Sequence, residues 1–178
     1  MRIIGGKYRG RLFRPGKNFN ARPTTDLAKE SLFNILQNRL YYEELNALDL
    51  FSGTGSISFE LASRGCRQIL AIENNFQHYK FIRQTIEQLK EEHIKVQKAD
   101  VFRFLGKCTN QYDFIFADPP YDHKLFAQVP ELVLSRHMIA PEGLFILEHS
   151  ADYDFSTYAE FFELRRYGSV HFSFFKNS

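Results

Sequence analysis

A chain of 178 residues with 44% hydrophobic content has enough apolar surface for one packed domain, and it needs no covalent staple to fold. Its two cysteines, Cys66 and Cys108, sit in no CxxC or Cys/His spacing, which excludes a disulfide framework and a structural zinc site, and no apolar run is long enough to span a bilayer. Net charge is only +2, yet the first 22 residues carry +7 and so leave −5 for the rest, an asymmetry that points to a polyanion gripped at one end.

That charge lies on Arg2, Lys7, Arg9, Arg11, Arg14, Lys17 and Arg22, all ahead of the first acidic residue, Asp26. Ile3, Ile4, Tyr8, Leu12 and Phe13 are interleaved with the basic residues, and Gly5, Gly6 and Gly10 supply turns. This predicts a folded basic β-hairpin extension over residues 1–22, a phosphate-tracking surface rather than a disordered solubilising arm, followed by one domain over residues 23–178. There is no signal-peptide core at the N-terminus, so a soluble protein of the reducing cytoplasm is expected.

After the stretch Arg22-Pro23-Thr24-Thr25-Asp26, apolar residues at helical spacing predict a helix over 27–36, capped by Thr24 or Thr25. The pattern then alternates: strands over 47–51, 68–73, 94–98, 113–117 and 144–148, and helices over 57–64, 76–92, 101–105 and 125–136. Short strand, long helix, short strand is the βαβ signature of an α/β sheet. Residues 160–168 and 169–175 read as two consecutive strands joined near Gly168, an antiparallel pair closing the parallel sheet.

Ligands of open α/β sheets gather at the carboxyl ends of the strands, and Asp49, Glu73, Asp100 and Asp118 each fall at or just beyond a predicted strand end. In Leu48-Asp49-Leu50-Phe51-Ser52-Gly53-Thr54-Gly55 an apolar strand runs into a glycine turn, where Gly53 and Gly55 let the backbone approach a ligand closely. Ser58 stands where a third glycine would complete the dinucleotide fingerprint, and Asp49 would repel a pyrophosphate. A nucleoside cofactor with cationic groups and no phosphates fits better, and S-adenosylmethionine has both a sulfonium and an ammonium. Glu73 is placed to accept the ribose hydroxyls, and Asp100 to accept from the adenine amine or to cap the helix that begins at Val101.

The most informative stretch is Asp118-Pro119-Pro120-Tyr121, which follows the apolar run Phe114-Ile115-Phe116-Ala117. Two prolines stiffen the turn and leave its carbonyls to accept hydrogen bonds, while Tyr121 offers a flat surface, all of which suits a planar amine substrate. Asp and Pro are also common turn formers, and it is the glycine turn upstream that favours the functional reading.

These stretches, together with Arg2-Ile3-Ile4-Gly5-Gly6-Lys7-Tyr8-Arg9-Gly10-Arg11, Glu30-Ser31-Leu32-Phe33-Asn34, Ser63-Arg64-Gly65, Glu148-His149 and Arg166-Tyr167-Gly168, closely resemble the RsmD-like guanine-N2 methyltransferases of small-subunit (16S) ribosomal RNA. The resemblance implies a Rossmann-like class I S-adenosylmethionine-dependent methyltransferase fold, a seven-stranded mixed sheet with helices on both faces. It implies a cofactor set of Asp49, Phe51, Gly53, Gly55, Glu73, Asn74, Asp100, Val101 and Asp118, and no metal. Arg2, Lys7, Tyr8, Arg9, Arg11, Arg22, Thr24 and Thr25 are the expected contacts to RNA, whether naked or in an assembling 30S subunit, by a monomer.

Asp118 and the Pro119 carbonyl are then expected to align the N2 amine of a flipped guanine, with Pro120 stiffening the turn and Tyr121 stacking on the base. A DNA adenine-N6 or other exocyclic-amine methyltransferase, and a non-catalytic RNA-binding assembly factor, are the alternatives.

Overall fold

A computed structural model of the chain describes residues 1–16 and 26–177. Its sheet follows from strands whose alternate residues bury on both sides. In β1 (Asn46–Leu50) Ala47 packs on one face while Leu48 and Leu50 pack on the other, and β4 (Tyr112–Ala117) divides Phe114 and Phe116 from Ile115 and Ala117 in the same way. Such near-continuous apolar strands require cover on both faces. One face is covered by α1 (Asp26–Leu36), α2 (Ser56–Ser63) and α3 (Phe76–Leu89), through Leu32, Phe33, Phe59 and Ile82. The other is covered by α4 (Val101–Leu105) and α5 (Gln128–Ser135), through Leu105, Val129 and Val133.

The seven strands lie in the order β3-β2-β1-β4-β5-β7-β6, with β2 at Gln68–Glu73, β3 at Ile94–Lys98, β5 at Ile139–His149, β6 at Phe161–Tyr167 and β7 at Val170–Lys176. Strands β1 to β5 run parallel, and β7 is antiparallel to both β5 and β6. The strand order reverses between β1 and β4, which opens a crevice at their carboxyl ends.

Three elements differ from the sequence reading. The third helix stops at Leu89, because Lys90 adopts a left-handed conformation (φ 52°) and Glu91 turns back toward the N-terminal arm. The fifth begins three residues late, since 123–128 form tight turns closed by Phe126 N–H to His123 and Gln128 N–H to Leu125. Strand β5 starts five residues early, at Ile139, running through Pro141 and Gly143 beside an irregularity in its pairing with β4 between Tyr112 and Phe114.

The N-terminal segment is hairpin-like but not a ladder. Among the described residues a single antiparallel bridge joins Arg2 to Leu12, with Ile3 N–H donating to Arg11 at 3.0 Å and Gly10 N–H to Ile3 at 2.8 Å, around a 3-10 turn at Gly6–Tyr8. The reason is that the intervening N–H groups turn to α2: Ile4 and Gly5 each donate to the Glu60 carboxylate at 2.8 Å, and Tyr8 donates to Ser63 Oγ at 2.9 Å. Ile3 and Phe13 are buried in the same core as α1 and α2.

Candidate active site

The glycine turn after β1 is held by carboxylates from its own strands. Phe51, Gly53 and Gly55 all take left-handed φ values (58°, 54° and 73°), so the chain reverses within five residues and brings its N–H groups toward the strand ends. A side chain at Gly55 would lie 2.9 Å from the Phe59 ring. Phe51 is not a glycine and is strained at this φ, with its ring packed edge-on against Phe102 at 5.8 Å. Gly53 N–H donates to Glu73 Oε2 and Asn75 N–H to Glu73 Oε1, both at 2.7 Å, so the carboxylate at the end of β2 ties this turn to the loop before α3.

Asp49 is almost fully buried, and its Oδ2 accepts from Ser58 Oγ at 2.5 Å and Ser58 N–H at 3.1 Å. Burial pushes its carboxyl up to about 7 and the nearby Glu73 charge adds to this, while the two Ser58 bonds act in the opposite direction. Ser58, read in sequence as a missing glycine, is thus the partner that fixes Asp49. Asp100 caps α4 by accepting from Arg103 N–H at 2.9 Å.

Together these groups wall a cavity of about 740 Å³, within the range of small-molecule sites. Asp49, Phe51, Gly53, Glu73, Asn74, Asp100, Val101 and Asp118 line it, and of the expected cofactor set Gly55 alone stands outside the lining, shaping the turn from behind. Pro119, Pro120 and Tyr121 line the same cavity, so two sequence elements about 65 residues apart meet in one space.

The Asp118–Tyr121 turn is braced from several sides. Asp118 is half-buried where β4 ends, with its N–H 3.4 Å from the Leu50 carbonyl, and the Pro120 carbonyl accepts from His123 N–H at 2.9 Å. Tyr121 donates its hydroxyl to Glu148 Oε1 at 3.2 Å, and its carbonyl accepts from the Tyr153 hydroxyl at 3.1 Å. Its ring meets Phe126 edge-on at 6.1 Å, and Phe126 stacks on Tyr153 at 4.2 Å. The His123 ring stacks on Phe102 at 4.8 Å, completing an aromatic wall with Phe51.

The basic arm lies outside the cavity lining. Arg2, Lys7, Arg9 and Arg11 are exposed, but Lys7 pairs with Glu91 at 3.0 Å and Tyr8 donates its hydroxyl to the same carboxylate at 2.8 Å, with Lys7 and Arg11 against its ring. Arg22, Thr24 and Thr25 fall outside the described residues. Lys29, 1% exposed, donates to the Arg2 carbonyl and to Ser56 Oγ, so it joins the arm to the first residue of α2; burial lowers its pKa, and the Glu60 charge opposes that.

Sequence reasoning gave no role to Lys29, Glu60, His123 or Glu148. For Lys29 and Glu60 the available signal is a charged residue in the apolar stripe of a helix. Among the described residues no group of three His, Cys, Asp or Glu side chains is placed to hold a metal ion, and no helix is long and apolar enough to cross a membrane.

A family model described as Conserved hypothetical protein 95 matches residues 1–176. The ribosomal RNA small subunit methyltransferase D of Haemophilus influenzae is 31% identical over 156 residues, which is 85% of this chain and 80% of that protein. Among solved structures, a hypothetical protein of Thermus thermophilus superposes with a TM-score of 0.86 at 26% identity, covering 99% of both chains. The precorrin-6y C5,15-methyltransferase of Geobacter metallireducens superposes at 0.68 with 16% identity, over 93% of this chain and 94% of its own, a likeness of fold.

Proposed function

This chain belongs to the Conserved hypothetical protein 95 family, the RsmD-like methyltransferases, and from that premise we propose that it methylates the exocyclic N2 amine of one guanine in small-subunit (16S) ribosomal RNA. Its sheet is the Rossmann-like class I methyltransferase arrangement. The observation that carries the reading is that the Asp118–Tyr121 turn and the glycine turn with Glu73 and Asp100 line one cavity.

S-adenosylmethionine fits that cavity chemically and, when bound, supplies a methyl group made electrophilic by its sulfonium. Glu73 has two backbone N–H donors already in place and retains acceptor capacity for ribose hydroxyls, since a carboxylate offers about four lone-pair sites. Asp100 and Val101 border the same space, Asp100 as acceptor for the adenine amine, and the aromatic pair Phe51 and Phe102 supplies apolar contact.

The guanine N2 lone pair is delocalised into the ring, so alignment rather than base strength is the main catalytic requirement. In this proposal the Asp118 carboxylate and the Pro119 carbonyl accept from the amine and direct its lone pair along the line of displacement. Asp118 would accept the proton that N2 gives up on taking the methyl group from the sulfonium. Tyr121 is the stacking surface for the flipped base, a contact worth about 1 to 3 kcal/mol. Its braced hydroxyl and carbonyl keep the ring from moving with the base.

Arg2, Arg9 and Arg11 are the arm's phosphate contacts in this reading, with Lys7 and Tyr8 anchored to Glu91 at its base. The protein acts as a cytoplasmic monomer on naked RNA or on an assembling 30S subunit. The test is transfer of a labelled methyl group from S-adenosylmethionine to undermethylated small subunits, naked ribosomal RNA and duplex DNA, followed by nucleoside analysis. N2-methylguanosine from the ribosomal substrates alone is expected; labelled N6-methyladenine in DNA, or cofactor binding with no transfer, would overturn the proposal.

A further inference from the structure

Glu148 is the last acid before the end of β5, only 4% exposed, and it lines the same cavity as Asp118. The two acids are neighbours across the sheet: Ala117 of β4 pairs with Leu147 of β5, and Asp118 and Glu148 are the residues that follow. Adjacent strands lie about 4.8 Å apart, so two carboxylates stand at the ends of the central strands beside one small space. A buried carboxylate is costly to keep unless it is hydrogen-bonded. One oxygen of Glu148 accepts from the Tyr121 hydroxyl at 3.2 Å, and a carboxylate has room for about four such bonds. Its position at the cavity wall lets it accept from a base that enters beside Tyr121.

We infer that Glu148 selects the base by accepting the ring N1–H of guanine while Asp118 engages the adjacent N2 amine. This rests on the guanine-N2 reading and names the residue that makes the choice. Each of the three amine-bearing bases presents a different neighbour to its amine along the Watson–Crick edge. Guanine N2 is flanked by N1–H, a donor; adenine N6 is flanked by N1 and cytosine N4 by N3, both acceptors. A carboxylate beside the amine site rewards the first arrangement and repels the other two, because the lone pairs of the acceptor would face those of the acid with no proton between them. Uracil carries N3–H but has no amine to methylate.

The experiment begins with the labelled guanine located by nucleoside mapping, then compares RNA carrying guanine at that position with RNA carrying 2-aminopurine there. That analogue keeps the 2-amino group and replaces N1–H by an acceptor. The unaltered enzyme is expected to methylate the guanine RNA about a hundredfold faster, the size of one lost hydrogen bond to a charged group plus an unpaired acceptor. Glu148→Gln, whose amide can donate or accept, is expected to shrink that ratio to within a few-fold. Tyr121→Phe, which removes the hydroxyl but leaves the carboxylate, is expected to keep the ratio even as the rate falls.

Equal rates on the two RNAs with the unaltered enzyme overturn the inference without any variant having to fold. So does an unchanged ratio in folded Glu148→Gln, or a ratio lost equally in Tyr121→Phe, which would reduce Glu148 to a support for the tyrosine. If the unaltered enzyme labels a base other than guanine, the guanine-N2 reading itself fails, and the selection of guanine by Glu148 with it.

Discussion

The strand-end rim and the N-terminal arm are both held by carboxylates of the methyltransferase sheet and its helices, but to different ends. At the rim, Glu73, Asp49 and Asp100 take their partners from the loops and helix starts that follow the strands, so the acids stay at the cavity wall and the turn geometry is fixed before any ligand arrives. Beneath the arm, Glu60 of α2 and Glu91 after α3 take the N–H groups of Ile4 and Gly5 and the side chains of Lys7 and Tyr8, more than 50 residues away in sequence, and their charge holds that segment in place. A carboxylate is a ligand-binding group or an anchor according to whether a cavity lies beside it. Its position in a charge count does not distinguish the two.

The largest effect is expected where the rim meets the chemistry. Asp118→Ala should lower turnover by about 10²- to 10⁴-fold in a protein that still folds, the range expected for loss of one positioned proton acceptor. A folded variant with near-normal turnover would remove Asp118 from the mechanism.

Next comes the anchor. Glu60→Ala leaves Ile4 N–H, Gly5 N–H and Arg64 without their shared acceptor, and should destabilise the fold by about 3 to 5 kcal/mol in a denaturant or thermal titration. If stability is unchanged, the arm is not held by this carboxylate and the comparison with the rim breaks down. Glu73→Gln should weaken S-adenosylmethionine binding by roughly ten- to a hundredfold in calorimetry, with a smaller change in stability, since the loss falls on a hydrogen-bonded charge at a cavity wall.

Asp49 gives a pH test with a definite sign. Its carboxyl is raised from the ordinary 3.8 to about 7, so between those values the folded state keeps a proton that the unfolded chain has lost. The stability this group contributes is complete below about pH 4, falls as pH rises, and levels off above about pH 7, at a slope of order 1 kcal/mol per pH unit. In Asp49→Asn that dependence should vanish, so the gap between the melting curves of the two proteins should change from about pH 5 to about pH 7 and then hold steady to about pH 8. A constant gap over that range would show that burial does not control this acid.

The smallest effect belongs to the arm's surface. Arg9 and Arg11 changed together to Ala should lower the slope of log affinity against log salt for RNA by about 2 and leave cofactor affinity unchanged. An unaltered slope would mean that the exposed cations of the arm do not track phosphates.

The sequence by itself determined the α/β alternation, the antiparallel pair at Gly168, and the placement of four acids at strand ends, because apolar periodicity, glycine turns and proline stiffness act over a few residues. It also marked Asp118–Tyr121 and the glycine turn as the chemically informative stretches, the second deciding for the first, since an Asp-Pro-Pro-Tyr string alone is also an ordinary turn. Only the tertiary structure decided which acids share a cavity. Glu148 becomes a neighbour of Asp118 through the β4–β5 register, and Ser58 becomes the partner of Asp49 through the packing of α2 on β1. The bridge-closed shape of the arm was equally out of reach, because the N–H groups of Ile4, Gly5 and Tyr8 are satisfied by Glu60 and Ser63 rather than by the arm's own carbonyls. Local pattern fixes what each segment is, whereas the partner of a buried polar group is set by chain elements far away in sequence, and their contact exists only once the sheet has assembled.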